Sequence, residues 1–258
     1  MPYRSYPASL SVGRDHHPRA RQAEKLARKS GRKAPGRRVL VVCEGSKTEP
    51  LYFEEIRRAL RLPSRNIFVT HEGVTHPRGI VDAAESLFRD GGPDFDPRAF
   101  ELVVTVFDRD DHDSYHDALD HMARLDARKW KNDEGTPVRF LCAPTVPSFE
   151  LWLLLHFQER KAALGRDEAL NALKRHLPQY RKSAPGSFAA TRERLPVALE
   201  RAYRLAEHGD VRTRNPATDL HLLVHLLLDP GLGLPPWPAT FRGDSGRIEV
   251  VAKFLRDS

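Results

Sequence analysis

The chain has 258 residues, a net charge of +7, 40% hydrophobic residues and two cysteines, enough to bury a substantial core without the disulfide or metal staples that small folds need. No apolar run approaches the ~18 residues of a membrane span, and the first residues lack an apolar signal core, so a soluble, cytoplasmic protein without a membrane partner is expected. The charge is lopsided: residues 1–38 carry eleven Lys or Arg against Asp15 and Glu24, a local +9 that leaves −2 for the rest.

Residues 1–36 therefore read as a basic arm, rich in Gly, Pro, Ser and Arg and expected to be disordered. Such an arm either meets nucleic-acid phosphates in a salt-dependent way or serves as a solvated tail. From Arg37 the pattern changes. "RRVLVVC" is a continuous apolar run of strand length, as expected of a parallel strand covered on both faces. After the loop "EGSKTEP", the segment "PLYFEEIRRALRL" has helical spacing, with Pro50 near its start. "NIFVTHEG" predicts a second strand and "RGIVDAAESLFRDGG" a second helix closed by Gly91. "FELVVTVFD" predicts a third strand, "SYHDALDHMARLDARKW" a third helix and "TPVRFLCAP" a fourth strand. This alternation over residues 37–147 predicts a doubly wound, Rossmann-like α/β domain with a mostly parallel four-stranded sheet and helices on both faces. Residues 148–258 read as helices alone: "SFELWLLLHF", "RDEALNALKRHL", "ATRERLPVALERAYRLAEH", "PATDLHLLVHLLLD" and "GRIEVVAKFLRDS". They form a helical C-terminal region expected to pack on the sheet domain. Cys43 and Cys142 end apolar runs and read as buried core thiols.

Ligands of open parallel sheets bind beyond the carboxyl ends of the strands, and both central strands end there in acid. Glu44 follows the first directly, before Gly45. The third runs into "VFDRDDHD", with Asp108 and Asp110 two apart and so on one side of an extended backbone; Asp111 lies beside them. If strands one and three are neighbours, about 4.8 Å apart, Glu44 approaches the same point. Carboxylates gathered this closely repel one another, and a hard divalent ion, Mg²⁺ or Mn²⁺, resolves the repulsion. Asp-rich turns also cap helices, a role open to Asp113 or Ser114. An EF-hand is excluded because Asp113 stands where its Gly is needed, and no phosphate-cradling P-loop motif occurs.

Other residues have competing readings. Lys47, in the turn after Glu44, is placed to contact a phosphate or simply to face solvent; Thr48 reads as a helix cap. Glu150, within "FELWLLLHF", is either a first-turn acid favoured by the helix dipole or an acid near the site. His221 and His225 have a zinc-compatible spacing but lack the glutamate of H-E-x-x-H. Asn215, before Pro216, reads as a turn residue or a substrate contact, His112 as a proton shuttle or a loop residue, and Trp152 as core.

"VVCEGSKTEPLYF", "VFDRDDH", "PSFELWLLLHF" and "NPATDLHLLV", in this order, resemble the RloB-like family, and the acid after strand one with D-x-D after strand three resembles the Toprim domain of topoisomerases, primases and OLD-type nucleases. The resemblance covers about residues 38–228. It implies Glu44 as general acid or base or water-bridged ligand, Asp108 and Asp110 as ligands of Mg²⁺ or Mn²⁺, and Glu150 as a site acid and second ligand. It implies a metal-dependent phosphodiesterase or nuclease acting on DNA or RNA in bacterial anti-phage defence by abortive infection, alongside a separately encoded AAA/ABC-type ATPase. A non-catalytic nucleic-acid-binding or regulatory subunit of such a defence complex is the alternative, and a homo-oligomer is compatible with either.

Overall fold

The computed structural model describes residues 37–64, 66–109 and 113–227. The basic arm, the predicted last helix "GRIEVVAKFLRDS", and Asp110, Asp111 and His112 lie outside the described residues.

The two most apolar runs become the two inner strands. β1 (Val39–Cys43) and β3 (Leu102–Val106) are buried at every position. β2 (Ile67–Thr70) and β4 (Arg139–Cys142) hold the edges and keep partly exposed residues. The order is β2-β1-β3-β4, parallel throughout, as continuous rather than alternating hydrophobicity dictates. The sheet thus has the predicted four strands, and the register sets Cys43 opposite Val106. Between the strands run α1 (Thr48–Ala59), α2 (Pro77–Asp90) and α3 (Tyr115–Ala127). α2 shows why its ends fall where they do: the His76 side chain accepts a hydrogen bond from the Gly79 N–H, Pro77 occupies the first turn, and Gly91, at φ 85°, closes the helix in a conformation that favours glycine.

Successive strand residues point to opposite faces. Leu40, Val42 and Val103 face one core with α2 and α3. Val39, Val41, Cys43, Leu102, Val104 and Val106 face the other, where α1 and the C-terminal helices complete the core. At the heart of this second core is α4 (Phe149–Leu155), whose seven residues, Trp152 among them, are all buried; it packs on α5 (Arg166–His176) and α7 (Leu195–Glu207). Full burial of each large side chain contributes roughly 1.5–3 kcal/mol, which explains why so apolar a segment commits to the interior.

Three expectations change. "ATRERLPVALERAYRLAEH" is not one helix: α6 (Ser187–Thr191) passes through a 3₁₀ turn into α7, which has Pro196 in its first turn. "PATDLHLLVHLLLD" opens with a short strand, β6 (Ala217–Thr218), before α8 (Leu220–Leu227). β6 pairs antiparallel with β5 (Thr145–Val146). β5 in turn runs beside the extension of β3, where Arg109 N–H donates to the Thr145 carbonyl at 2.9 Å and Thr145 N–H to the Phe107 carbonyl at 3.1 Å. Cys43 is fully buried, whereas Cys142, on an edge strand, is only half-buried and accepts a hydrogen bond from the Thr105 hydroxyl at 3.4 Å. Among the described residues no helix is long and apolar enough to cross a membrane.

Candidate functional site

Because β1 and β3 are parallel neighbours in register, the residues just past their ends meet. The Glu44 N–H donates to the Val106 carbonyl at 2.9 Å, continuing the ladder by one step. The Glu44 side chain then reaches across, and its Oε2 accepts from the Asp108 N–H at 2.9 Å. A carboxylate on a backbone N–H is a charge-assisted bond, so the first predicted acid is held at the backbone of the second. Asp108 is itself buried, 7% exposed.

A third acid joins them. α1 begins at Thr48, two residues before Pro50, so Glu49 lies in its first turn and points inward, 7% exposed. Gly45 is what makes room: a Cβ there would stand 2.2 Å from Glu49 Oε2. That oxygen is buried and has no hydrogen-bond partner among the described residues. Burial pushes the Glu49 carboxyl up to about 7; its own backbone N–H opposes the shift, the charges of Glu44 and Glu150 add to it, and Lys182 counters them.

Glu150 is the fourth acid and the most buried, at 2% exposed. Ser148 occupies the N-cap of α4, yet its hydroxyl caps no backbone group; it donates to Glu150 Oε2 at 2.7 Å. The Tyr180 hydroxyl donates to Oε1 at 3.1 Å, and the Lys182 ammonium lies 3.0 Å from the same oxygen. Burial first, then the neighbouring Glu150, with Glu49 and Asp108 adding, drives the Tyr180 phenol far above its ordinary range. Tyr180 thus senses three of the four carboxylates. Tyr180 and Lys182 lie between α5 and α6, and α1 fixes that segment. Thr48 Oγ1 accepts from the Ser183 N–H at 3.1 Å, and the Glu55 carboxylate accepts from the N–H groups of Gly186, Phe188 and Ala189. Thr48 therefore anchors this loop instead of capping its own helix.

Of the predicted site the structure joins Glu44 to Asp108 by a hydrogen bond, and it links Glu150 to them through the charge effects on Glu49 and Tyr180, with Lys182 beside Glu150. Lys47 is exposed at the N-cap of α1, at the rim of the turn. Asn215 is engaged with Leu164, accepting from its N–H at 3.3 Å and donating to its carbonyl at 2.9 Å. Ser114, not Asp113, sits at the N-cap of α3, without a side-chain cap bond. His221 is completely buried, and burial lowers its pKa to about 3 against a smaller opposing effect of the Thr218 backbone; it packs edge-on against Tyr203. This is a neutral core histidine.

Among the described residues no group of three or more His, Cys, Asp or Glu side chains is already arranged to hold a metal ion. The donor chemistry nonetheless suits one: every candidate ligand is a carboxylate oxygen, the set favoured by Mg²⁺ and Mn²⁺, and Glu49 Oε2 is buried without a hydrogen-bond partner among the described residues. Glu49 could have been suspected from its place in the loop after Glu44. Tyr180 and Lys182 carried no local signal, since they meet Glu150 from 30 or more residues away.

A parallel α/β sheet with carboxylates gathered beyond the ends of its two central strands is the class of protein that these observations define. Within that class the chain belongs to the RloB-like family, whose profile, described as RloB-like protein, matches residues 39–227. No curated protein and no solved structure matches the chain.

Proposed function

We propose that this protein is a Toprim-type, metal-dependent phosphodiesterase that cuts DNA or RNA in bacterial anti-phage defence. The observation that carries this reading is the Glu44 carboxylate seated on the Asp108 backbone N–H at the carboxyl edge of adjacent parallel strands. That edge is where ligands of open parallel sheets bind, and the buried Glu49 oxygen beside it, without a partner among the described residues, supports uptake of positive charge there. Asp108 and Glu49, with Asp110 and Asp111, would hold Mg²⁺ or Mn²⁺. When bound, the ion supplies neutralisation of the scissile phosphate and a more acidic water. Glu44, fixed by the Asp108 N–H, is placed to hold or move a proton at its Oε atoms. Glu150, held by Ser148, Tyr180 and Lys182, would add a further carboxylate near the site, and the exposed Lys47 would meet a substrate phosphate. The basic arm adds salt-dependent attraction for nucleic acid. An AAA/ABC-type ATPase encoded separately is the expected partner, restraining cleavage until infection.

The test is incubation of the full chain with supercoiled plasmid and with tRNA, in Mg²⁺ and in Mn²⁺. Wild type is expected to cleave at least one of them, and Glu44→Gln, Asp108→Asn and Asp110→Asn to stay folded without cleaving. Equal cleavage by all four proteins would remove the assigned roles. Binding without cleavage under every condition would favour a non-catalytic subunit.

A further inference from the structure

Glu150 and Glu49 are neighbours with opposite fates. Glu150 receives three donors, Ser148, Tyr180 and Lys182, whereas Glu49 keeps a buried oxygen with no partner among the described residues. Among the described residues the cation paired with this cluster is Lys182, and it is not locked in: its side chain is 41% exposed, while the acid it serves is 2% exposed. It reaches the site from a loop, and that loop is pinned just after it by Ser183 on Thr48 and by Glu55 on the next helix. A pinned backbone carrying a long, half-solvated side chain lets the ammonium withdraw without any unfolding of the loop. Its position 3.0 Å from Glu150 also works against a divalent ion, because a fixed positive charge nearby repels a second cation at close range.

We propose that Lys182 is the built-in counter-ion of this site and sets how tightly the site takes up a divalent cation. Its ammonium offsets the charge of Glu150 in the metal-free protein and must leave it for the ion to be held at full strength. The inference rests on the metal-dependent reading of the site. It deepens that reading by naming the residue that determines cation affinity.

The experiment is calorimetric titration of Mn²⁺, at one pH and one ionic strength, into the full-length wild type, Lys182→Met and Lys182→Arg, with near-ultraviolet circular dichroism to confirm native packing. Lys182→Met is expected to bind Mn²⁺ about tenfold more tightly than wild type, since a like charge has been removed. Lys182→Arg, which keeps the charge, is expected to stay within about twofold of wild type. Should Lys182→Met lose its native spectrum, Lys182→Gln replaces it with the same expectation. Mn²⁺ uptake by wild type with equal or weaker uptake by the charge-removing variant would overturn the role of Lys182 and leave the metal-dependent reading intact. No uptake by any of the proteins would overturn both.

Discussion

Two districts of this protein bury titratable side chains, and they handle the cost in opposite ways. Inside the helical region, His156 and His221 lie within an apolar core and respond by staying neutral: burial lowers them to about 4 and about 3. At the sheet edge, Glu44, Glu49, Asp108 and Glu150 crowd together, and donors gather around them: the Asp108 N–H on Glu44, and Ser148, Tyr180 and Lys182 on Glu150. The lesson is about purpose as much as energy. A buried base can discard its charge and become ordinary core, whereas acids set close together are served by donors where these reach them, and Glu49, which none reaches among the described residues, is pushed towards its neutral form.

Substitution should break this contrast most sharply. Glu44→Gln and Asp108→Asn are expected to lower phosphodiester cleavage by 100-fold or more, roughly what loss of a residue acting only in the transition state costs. They should leave the melting temperature nearly unchanged. Trp152→Ala, in the apolar interior, should do the reverse and cost about 3–5 kcal/mol of stability, measured by urea unfolding, while the folded fraction keeps its turnover. A large stability loss in the acid variants would merge the two districts into one structural core.

Acid pH separates them next. His156 and His221 titrate near 6.5 when exposed but at about 4 and about 3 in the fold, so the unfolded chain binds more protons than the native one between those values. Their stabilising contribution is complete above pH 6.5 and declines as pH falls, each histidine adding a slope of up to about 1.4 kcal/mol per pH unit. Urea midpoints at pH 7, 6 and 5 check this, and His221→Phe should flatten the decline.

Glu49 gives a smaller effect of opposite sign. Its carboxyl is raised from 4.5 to about 7 in the fold, so the native state holds the extra proton in that window. Its stability contribution is intact below about pH 4.5 and is lost as pH rises through 7. Glu49→Gln should therefore be more stable than wild type at pH 8, by about 3 kcal/mol, and show no advantage at pH 4.5. Mn²⁺ should erase the difference by stabilising wild type alone.

Much of the sheet edge was readable because its logic is local. "VLVVC" and "LVVTV" are strand-length, almost wholly apolar runs that belong in the middle of a covered sheet, and the acids that follow them, Glu44 directly and Asp108 after Phe107, are visible without coordinates. Glu49 was hidden by a helix boundary: Pro50 suggested where α1 starts, but a first turn leaves its N–H groups unbonded, so Pro is tolerated at its third residue and the helix reaches back to Thr48. The Tyr180–Lys182 loop was illegible for a different reason. Its meaning lies in contacts with Glu150 and Thr48, the latter 135 residues away from Ser183, and no periodicity encodes such a meeting. Asn215 shows the converse. Its turn-forming sequence was plain, but only the fold reveals that both ends of its amide serve Leu164.

The most direct measurement is a crystal of the full chain soaked in Mn²⁺ and read by anomalous scattering. The expected result is a peak bound by Asp108 and Glu49 beside Glu44, with the Lys182 ammonium withdrawn from Glu150. A peak elsewhere, or none at this sheet edge with nucleic acid bound, would contradict a metal-dependent site.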